Sequence, residues 1–439
     1  MLTILANRAY RHLFAAQIVA LLGTGLATVA LALLAFELAG DEAGAVLGTA
    51  LAIKMIAYVA IAPVASAFAS RLPRRAVLVG LDLFRAGVAL ALPFVNEVWQ
   101  VYVLIFALQS ASAAFTPTFQ ATIPDILPDE DDYTRALSLS RLAYDLENLI
   151  SPMLAAALLT VVGFHYLFAG TSVGFLVSAA LVVSVALPAA IARRAGGIYE
   201  RTTRGIRIYL ATPRLRGLLA VNLAVAAAGA MVIVNTVVYV QSAFGLGERQ
   251  TALAMAAFGG GSMLAALVLP RLLHVVGDRT AMLAGAALLA LGALLAALLS
   301  AYPPLLGLWF LIGIGYSLAQ VPSGRLLRRS ARPEDRPAIF AAQFALSHAC
   351  WLVTYPVAGL LGAAAGLPAA ALALAALAVT AASIALSIWP ADDQEVIEHE
   401  HADLPADHPH LKAGDGSHRG RHRHSFVIDD LHHAWPPVR

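Results

Sequence analysis

Residues 12–36 read HLFAAQIVALLGTGLATVALALLAF, twenty-five positions without one Asp, Glu, Lys or Arg. A bilayer core of about 30 Å takes roughly 20 such residues in a helix, because unpaired backbone groups are costly in hydrocarbon. The stretch is too long for the apolar part of a cleavable leader and no clear small-residue cleavage site follows, so it is expected to stay as a first span. Eleven more stretches of this character follow, near 46–70, 76–95, 99–123, 136–163, 166–188, 215–240, 250–273, 279–300, 303–325, 336–363 and 366–389. The expected fold class is an all-α integral membrane protein with twelve transmembrane helices.

Composition agrees. Of 439 residues, 60% are hydrophobic and 13% charged, against about 45–50% and 25% in soluble domains. A soluble enzyme of two or three domains is excluded. The single cysteine, Cys350, excludes a disulfide scaffold or a Cys-based zinc module. Lysine occurs only at Lys54 and Lys412, after Ile53 and Leu411, so there is no Walker A phosphate loop and no nucleotide partner is expected. No nucleic-acid partner is expected either. One enzyme-like string, GTSVG at 170–174, puts Ser172 where a nucleophile would stand. Inside an apolar helix it reads instead as a packing face built on Gly170 and Gly174.

Charge sets the direction of the spans. Alternate connections carry Arg8 and Arg11; Arg71, Arg74 and Arg75; Arg135; seven arginines from Arg193 to Arg216; Arg271 and Arg279; and five from Arg325 to Arg336. The opposite connections hold only Arg249. By the positive-inside rule the arginine-rich side and both termini are cytoplasmic. The chain is expected to divide into a six-helix bundle at 1–188, a cytoplasmic central loop at 189–214, a second six-helix bundle at 215–389 and a His-rich, disordered cytoplasmic tail at 390–439. The halves resemble each other: Pro152 and Pro356 stand 204 positions apart, each after a charged loop, LPDEDDYTR at 127–135 and ARPEDRP at 331–337. Parallel repeats of this kind place a substrate site near the midplane between halves.

Ionisable residues at membrane depth need partners or a wet cavity. The densest group is SRLAYDLENLISP at 140–152. Arg141 and Asp145, four apart, share a helix face and can neutralise one another, as a clasp or as part of a cavity. Glu147 lies on another face. On the repeat offset, His348 and Cys350 fall opposite Tyr144 and Leu146, beside those carboxylates. Carboxylate, imidazole and thiolate suit a borderline divalent ion such as Ni²⁺, Co²⁺ or Zn²⁺; an interhelical hydrogen bond is the plainer role for such a histidine. Asn222, Asn235 and Gln109 are expected to join helices, and Asp82 with Arg85 to form a structural pair. Lys54 is expected to snorkel or face the cavity.

After Pro390 the chain turns polar. Nine of thirteen histidines lie here: His399, His401, His408, His410, His418, His422, His424, His432 and His433. Three H-x-H pairs would each turn two imidazoles to one side of an extended chain, with Glu398, Glu400 and Asp407 at hand as further ligands. Such imidazole-rich sites suit Ni, Cu and Zn. Binding should weaken as pH falls through the histidine range near 6.5.

The six-plus-six layout, SRLPRR at 70–75, ATIPDILPDED at 121–131 and the His-rich terminus resemble the major facilitator superfamily. LSRLAYDLENLISP at 139–152 together with the tail resembles, more narrowly, the histidine-tailed nickel-resistance exporters of bacteria (NreB/NrsD type). The resemblance implies an inner-membrane exporter of Ni²⁺, sometimes Co²⁺, driven by proton antiport, with Arg71, Arg74 and Arg75 as the gating loop. Two departures stand out. Ser70 replaces the acidic residue that usually precedes the basic group, and the antiporter pattern of the fifth span appears as Glu147, Ser151-Pro152 and Ala155-Ala156, small but not glycine.

The expected protein is thus a non-enzymatic, monomeric carrier in the lipid bilayer, whose partners are divalent metal and protons and which needs no cofactor beyond that metal. Asp145, Glu147, His348, Cys350 and Arg141 are its cavity candidates. A siderophore, metal-chelate or drug exporter is the alternative within the superfamily, and a non-transporting metal sensor the alternative outside it.

Overall fold

Apolar runs can satisfy their backbone in lipid only by coiling. The computed structural model describes residues 2–39, 43–69, 72–188, 197–401, 409–412, 415–418 and 421–436. Helices α1 (Arg8–Ala39), α2 (Ala43–Ala69), α3 (Arg74–Ala91), α4 (Val98–Ile126), α5 (Glu130–Leu159) and α6 (His165–Val183) come first. The later ones are α7 (Ile198–Ala211), α8 (Pro213–Val237), α9 (Glu248–Leu272), α10 (Asp278–Ala296), α11 (Tyr302–Gln320), α12 (Ser323–Arg329), α13 (Arg336–Pro356), α14 (Gly362–Ala365) and α15 (Leu367–Ile388).

Among the described residues, eleven helices are long and apolar enough to cross a membrane. The expected twelfth span corresponds to α5, a 30-residue helix that stands outside that count. Its first turn holds Glu130, Asp131 and Asp132 behind the N-cap Asp129, whose side chain accepts from the Asp132 amide. Carboxylates there oppose the positive end of the helix dipole.

Packing repeats along the chain. Helix α1 packs on α6 and α5, α2 on α4, and α3 on α4 and α6; in the same order α8 packs on α15 and α13, α9 on α11, and α10 on α11 and α15. The two groups meet along α2 with α13 and α5 with α9, which are equivalent pairs in that repeat. The largest apolar core surrounds α8, with Trp309 and Trp389 fully buried in it. Helices α9 and α11 approach backbone to backbone: a Cβ on Gly261 would strike the Phe310 carbonyl, and one on Gly313 the Phe258 carbonyl. Ser262 and Ser317 close that seam with hydroxyls 2.8 Å apart.

Two stretches differ from expectation. The segment 189–214 is not only a loop, since α7 occupies much of it and packs on α13 and α2. The tail, expected to be disordered, contains β1 (Val396–Glu400), α16 (Pro409–Lys412), β2 (Asp415–His418) and β3 (Arg421–Ser425), paired antiparallel in the order β1-β3-β2. Its few apolar residues explain this. Phe426 and Ile428 are buried, and Ile397 and Trp435 pack beside them on the core around α8. Asp393 accepts from Arg214 (3.3 Å) and Arg329 (2.6 Å), so average polarity understates how the segment is held.

Candidate transport site and histidine cluster

The charged turn of α5 is placed where the two groups of helices meet. Arg141 pairs with Asp145, its Nε 3.2 Å from Oδ2, and its guanidinium stands 4.8 Å from the centre of the Tyr316 ring on α11. Asp145 is only 2% exposed. The shared helix face inferred from the four-residue spacing is therefore realised, and the clasp spans to α11 as well. Glu147 points toward α1, where a Cβ on Gly25 would come within 3.2 Å of its Oε1. The same Cβ would strike the Ser151 side chain, so glycine at that position is what lets α5 lie against α1 there. The cations acting on Glu147 are Lys54 of α2 and Arg141.

His348 stands at the α2–α13 contact. Its Nδ1 lies 2.7 Å from the Phe344 carbonyl, and its ring packs on Phe344 (4.2 Å between centroids) and edge-on to Tyr58 (4.7 Å). Tyr58 in turn donates to Gln109 at 2.8 Å, and Lys54 lies 5.7 Å from its ring centre. His348 of α13 and Lys54 of α2 thus both lie beside the Tyr58 ring, and the lysine's charge acts on Glu147. Cys350 is not gathered in: its Sγ bonds the Leu346 carbonyl (3.4 Å) and faces toward Tyr209. Two residues along a helix turn a side chain about 200° away, so His348 and Cys350 cannot converge. Tyr58 and Tyr316 escaped the sequence reading, because aromatic residues in apolar helices carry no signal of their own.

Residues expected to be structural are so placed. Asp82 pairs with Arg85 and accepts from Ser178 at 2.7 Å, with Arg85 sandwiched by Phe115 and Phe175. Asn235 donates to the Ala358 carbonyl across helices (3.3 Å). Ser172 is buried and donates to the Ala86 carbonyl (3.0 Å), and Gly174 lies against the Val19 carbonyl of α1, which leaves no catalytic elbow there.

The arginine-rich face is bridged from one group of helices to the other. Asp125 of α4 accepts from Arg74 (2.5 Å) and from Arg336 of α13 (2.8 Å). Arg75 donates to the Val183 carbonyl. Arg71 lies outside the described residues. The basic side of this loop is plain in the sequence; the acid that answers it, Asp125, stands at the end of α4, 51 positions from Arg74 and in no local pattern with it.

In the tail, strand alternation turns His399 of β1, with His401 just beyond the strand's end, and His422 and His424 of β3 to one face, with His399 opposite His422 in register. His410 of α16 and His432 close over that face. His399 Nε2 and His401 Nε2 lie 2.9 and 3.2 Å from His432 Nε2, and His422 Nε2 lies 3.0 Å from His410 Nε2. Two overlapping tetrads result, His399/His401/His410/His432 and His399/His410/His422/His424, each with ligand atoms within 4.8 Å of one another. Tetrahedral Zn–N bonds of about 2.0–2.1 Å put ligand atoms roughly 3.3 Å apart, close to these spacings. Burial and the surrounding imidazoles push His399 and His410 down to about 4, which favours the neutral, metal-binding form. For Asp429 burial acts upward, yet hydrogen bonds from His432 and Leu431 and the Arg332 charge bring its carboxyl below the usual range. His433 is exposed, His418 lies in β2, and His408 falls outside the described residues. The local H-x-H pairs were visible in sequence; the contributions of His410 and His432 are tertiary.

The family model described as Major Facilitator Superfamily matches residues 13–221 and 218–413. Macrolide efflux protein A of Streptococcus pyogenes is 24% identical over 181 residues, 40% of this chain and 44% of that protein. Its namesake in Enterococcus faecalis is 24% identical over 152 residues, 32% of this chain and 47% of that protein. The chain spans less than half the length of these curated relatives. Among solved structures, the human organic anion transporter TETRAN superposes with a TM-score of 0.75 at 14% identity, covering 86% of this chain and 99% of that one. A bacterial homologue of the iron transporter ferroportin, in an outward-facing state, gives 0.73 at 15%, covering 86% and 98%. At those identities the likeness is one of fold.

Proposed function

The chain belongs to the major facilitator superfamily of multi-pass membrane transporters, and on that premise we propose that it exports divalent transition metal, nickel first and cobalt second. In this proposal two six-helix bundles, 1–188 and 215–389, alternate access to a site between them in a bacterial inner membrane. The arginine-rich face is cytoplasmic, by the twenty-to-one bias of its connections. The observation that carries a metal cargo is the histidine box: six imidazoles from four separate segments packed together on a transporter chain. The box captures metal beside the cytoplasmic mouth and raises its local concentration.

Within the helices, Glu147 and His348 are the proposed metal or proton carriers, and Asp145 a ligand or the partner that neutralises Arg141. Lys54 near Glu147 supplies the logic of antiport: the carboxylate is shared between a fixed cation and an incoming one, so metal or proton arrival frees Lys54 from it. Cells expressing the chain should hold less nickel at equal external dose, and a protonophore should abolish the difference.

A second proposal, export of an organic molecule or metal chelate, is favoured by the macrolide efflux relatives. Unchanged nickel accumulation together with reduced accumulation of a macrolide or chelate would decide for it. A sensor that does not transport would give no counterflow in proteoliposomes for either cargo.

A further inference from the structure

The segment from Arg325 to Arg336, running along α12 and the turn into α13, is gripped from two sides. Toward the first six helices, Arg325 pairs with Glu130 (2.5 Å) and donates to Thr134 (2.8 Å), Arg328 donates to the Pro128 carbonyl, and Arg336 donates to Asp125. Toward the tail, Arg329 pairs with Asp393 and, at 3.5 Å, Glu395, and Arg332 pairs with Asp429. Asp335 in the same segment accepts from Arg204 of α7 at 2.7 and 3.0 Å, and Arg204 also donates to Asp430 of the tail (2.8 Å). One stretch of twelve residues therefore seats both the closure of the arginine-rich face and the histidine-bearing tail.

Asp429 is where the two meet. Its Oδ1 accepts from His432 Nδ1 and from the backbone amides of Leu431 and His432, each at 2.8 Å, while Arg332 pairs with its other oxygen. With Nδ1 held, His432 presents Nε2 to His399 and His401. A carboxylate behind a ligating imidazole fixes its tautomer and direction, and losing it typically costs about 10–100-fold in metal affinity.

We propose that Asp429 is a positioning residue of the histidine box and that, through Arg332, metal occupancy of the box is linked to closure of the arginine-rich face. The proposal rests on the box being a metal site. The box keeps His432 aimed while Asp429 is seated on Arg332. Arg332 is held in place by a segment whose neighbours are fastened to Asp125, Glu130 and Thr134. A metal that prefers the seated box therefore stabilises the closed face, and closure raises metal affinity by the same factor. The tail thereby reports cytoplasmic metal to the gate as well as collecting it.

Cobalt titration of the purified full-length protein tests this, read by the visible d–d absorption of the ion. A His399→Ala/His432→Ala variant supplies the baseline from any other site. Asp429→Asn should weaken box binding about 10–100-fold. Asp125→Asn touches no tail residue among the described contacts, yet should weaken it about 5-fold or more while leaving the saturated spectrum unchanged. A second measurement uses Cys350→Ala with Ser138→Cys, a buried position one turn in from Thr134. In inside-out vesicles cobalt should slow its modification, and should not when Asp429→Asn is added. Equal affinities in wild type and Asp125→Asn, with cobalt-independent labelling, would overturn the linkage alone. Absence of any box-dependent cobalt signal in the wild type would instead bring down the metal reading on which it rests.

Discussion

Arg141 and Tyr316 meet across the two groups of helices, the guanidinium 4.8 Å from the ring centre while its nitrogens hold Asp145. Removing one partner of a buried pair leaves an unpaired charge, at a cost of about 3–5 kcal/mol. Asp145→Asn should therefore reduce nickel efflux at least about tenfold. Asp145→Asn combined with Arg141→Gln removes both charges, and efflux should stay impaired if the carboxylate handles cargo. A double variant working at near wild-type rate in vesicles would reduce the pair to a clasp.

His348→Ala removes an imidazole wedged between Phe344 and Tyr58. Efflux of nickel should drop with normal membrane insertion. His348→Phe, which keeps an aromatic ring in the wedge, should drop equally. Recovery of efflux in the phenylalanine variant would show that the ring's packing, and not its nitrogens, is what matters.

The interfaces along α5 and within the tail show how far sequence could lead. Apolar spans, the Arg141–Asp145 face and the H-x-H pairs at 399/401 and 422/424 depend on spacing within one segment, so each was legible. Asp125 answering Arg336 joins residues 211 positions apart, and His432 reaches His399 over 33. No local period encodes such meetings. Disorder was expected for the tail because composition averages over 50 residues, whereas Ile397, Phe426, Ile428 and Trp435 act at particular points on a neighbouring core.

Membrane direction is open to a reporter test. A reporter fused after Arg439, at the end of the chain, should be active only as a cytoplasmic reporter, and one inserted at 40–42 only as an external one. The opposite pattern at either point would reverse the orientation taken from the arginines.

The box should resist acid longer than free histidine does. Ordinary imidazoles take up protons near 6.5, but burial and mutual repulsion hold His399 and His410 down to about 4. A folded-state value below the unfolded one means that the contribution to tail stability is full above about 6.5 and is lost as pH falls toward about 4. Metal binding should follow, holding near pH 6 and failing below about 5. Loss of half the bound cobalt at 6.5 would mean that burial does not hold His399 and His410 neutral as packed.

Cutting the chain after Pro390 would remove Asp393 and leave Arg214, 1% exposed, without that acid. Such a truncation should insert poorly. Replacing the six box histidines by alanine is the cleaner change. Cells carrying that variant should still export at high nickel but lose protection when cytoplasmic nickel is scarce, as measured by growth across a dose series. Identical growth at every dose would make those histidines bystanders.

The seam where Gly261 and Gly313 let α9 and α11 touch backbone to backbone has a mechanical consequence. Side chains that interdigitate at ordinary spacing can slide past one another by swapping rotamers; two backbones in contact offer no such slack. The pair must travel as a single strut. Rocking of one group against the other is then taken up between the groups, where α9 meets α5 and α13 meets α2, and the first of these carries Arg141, Asp145 and Glu147.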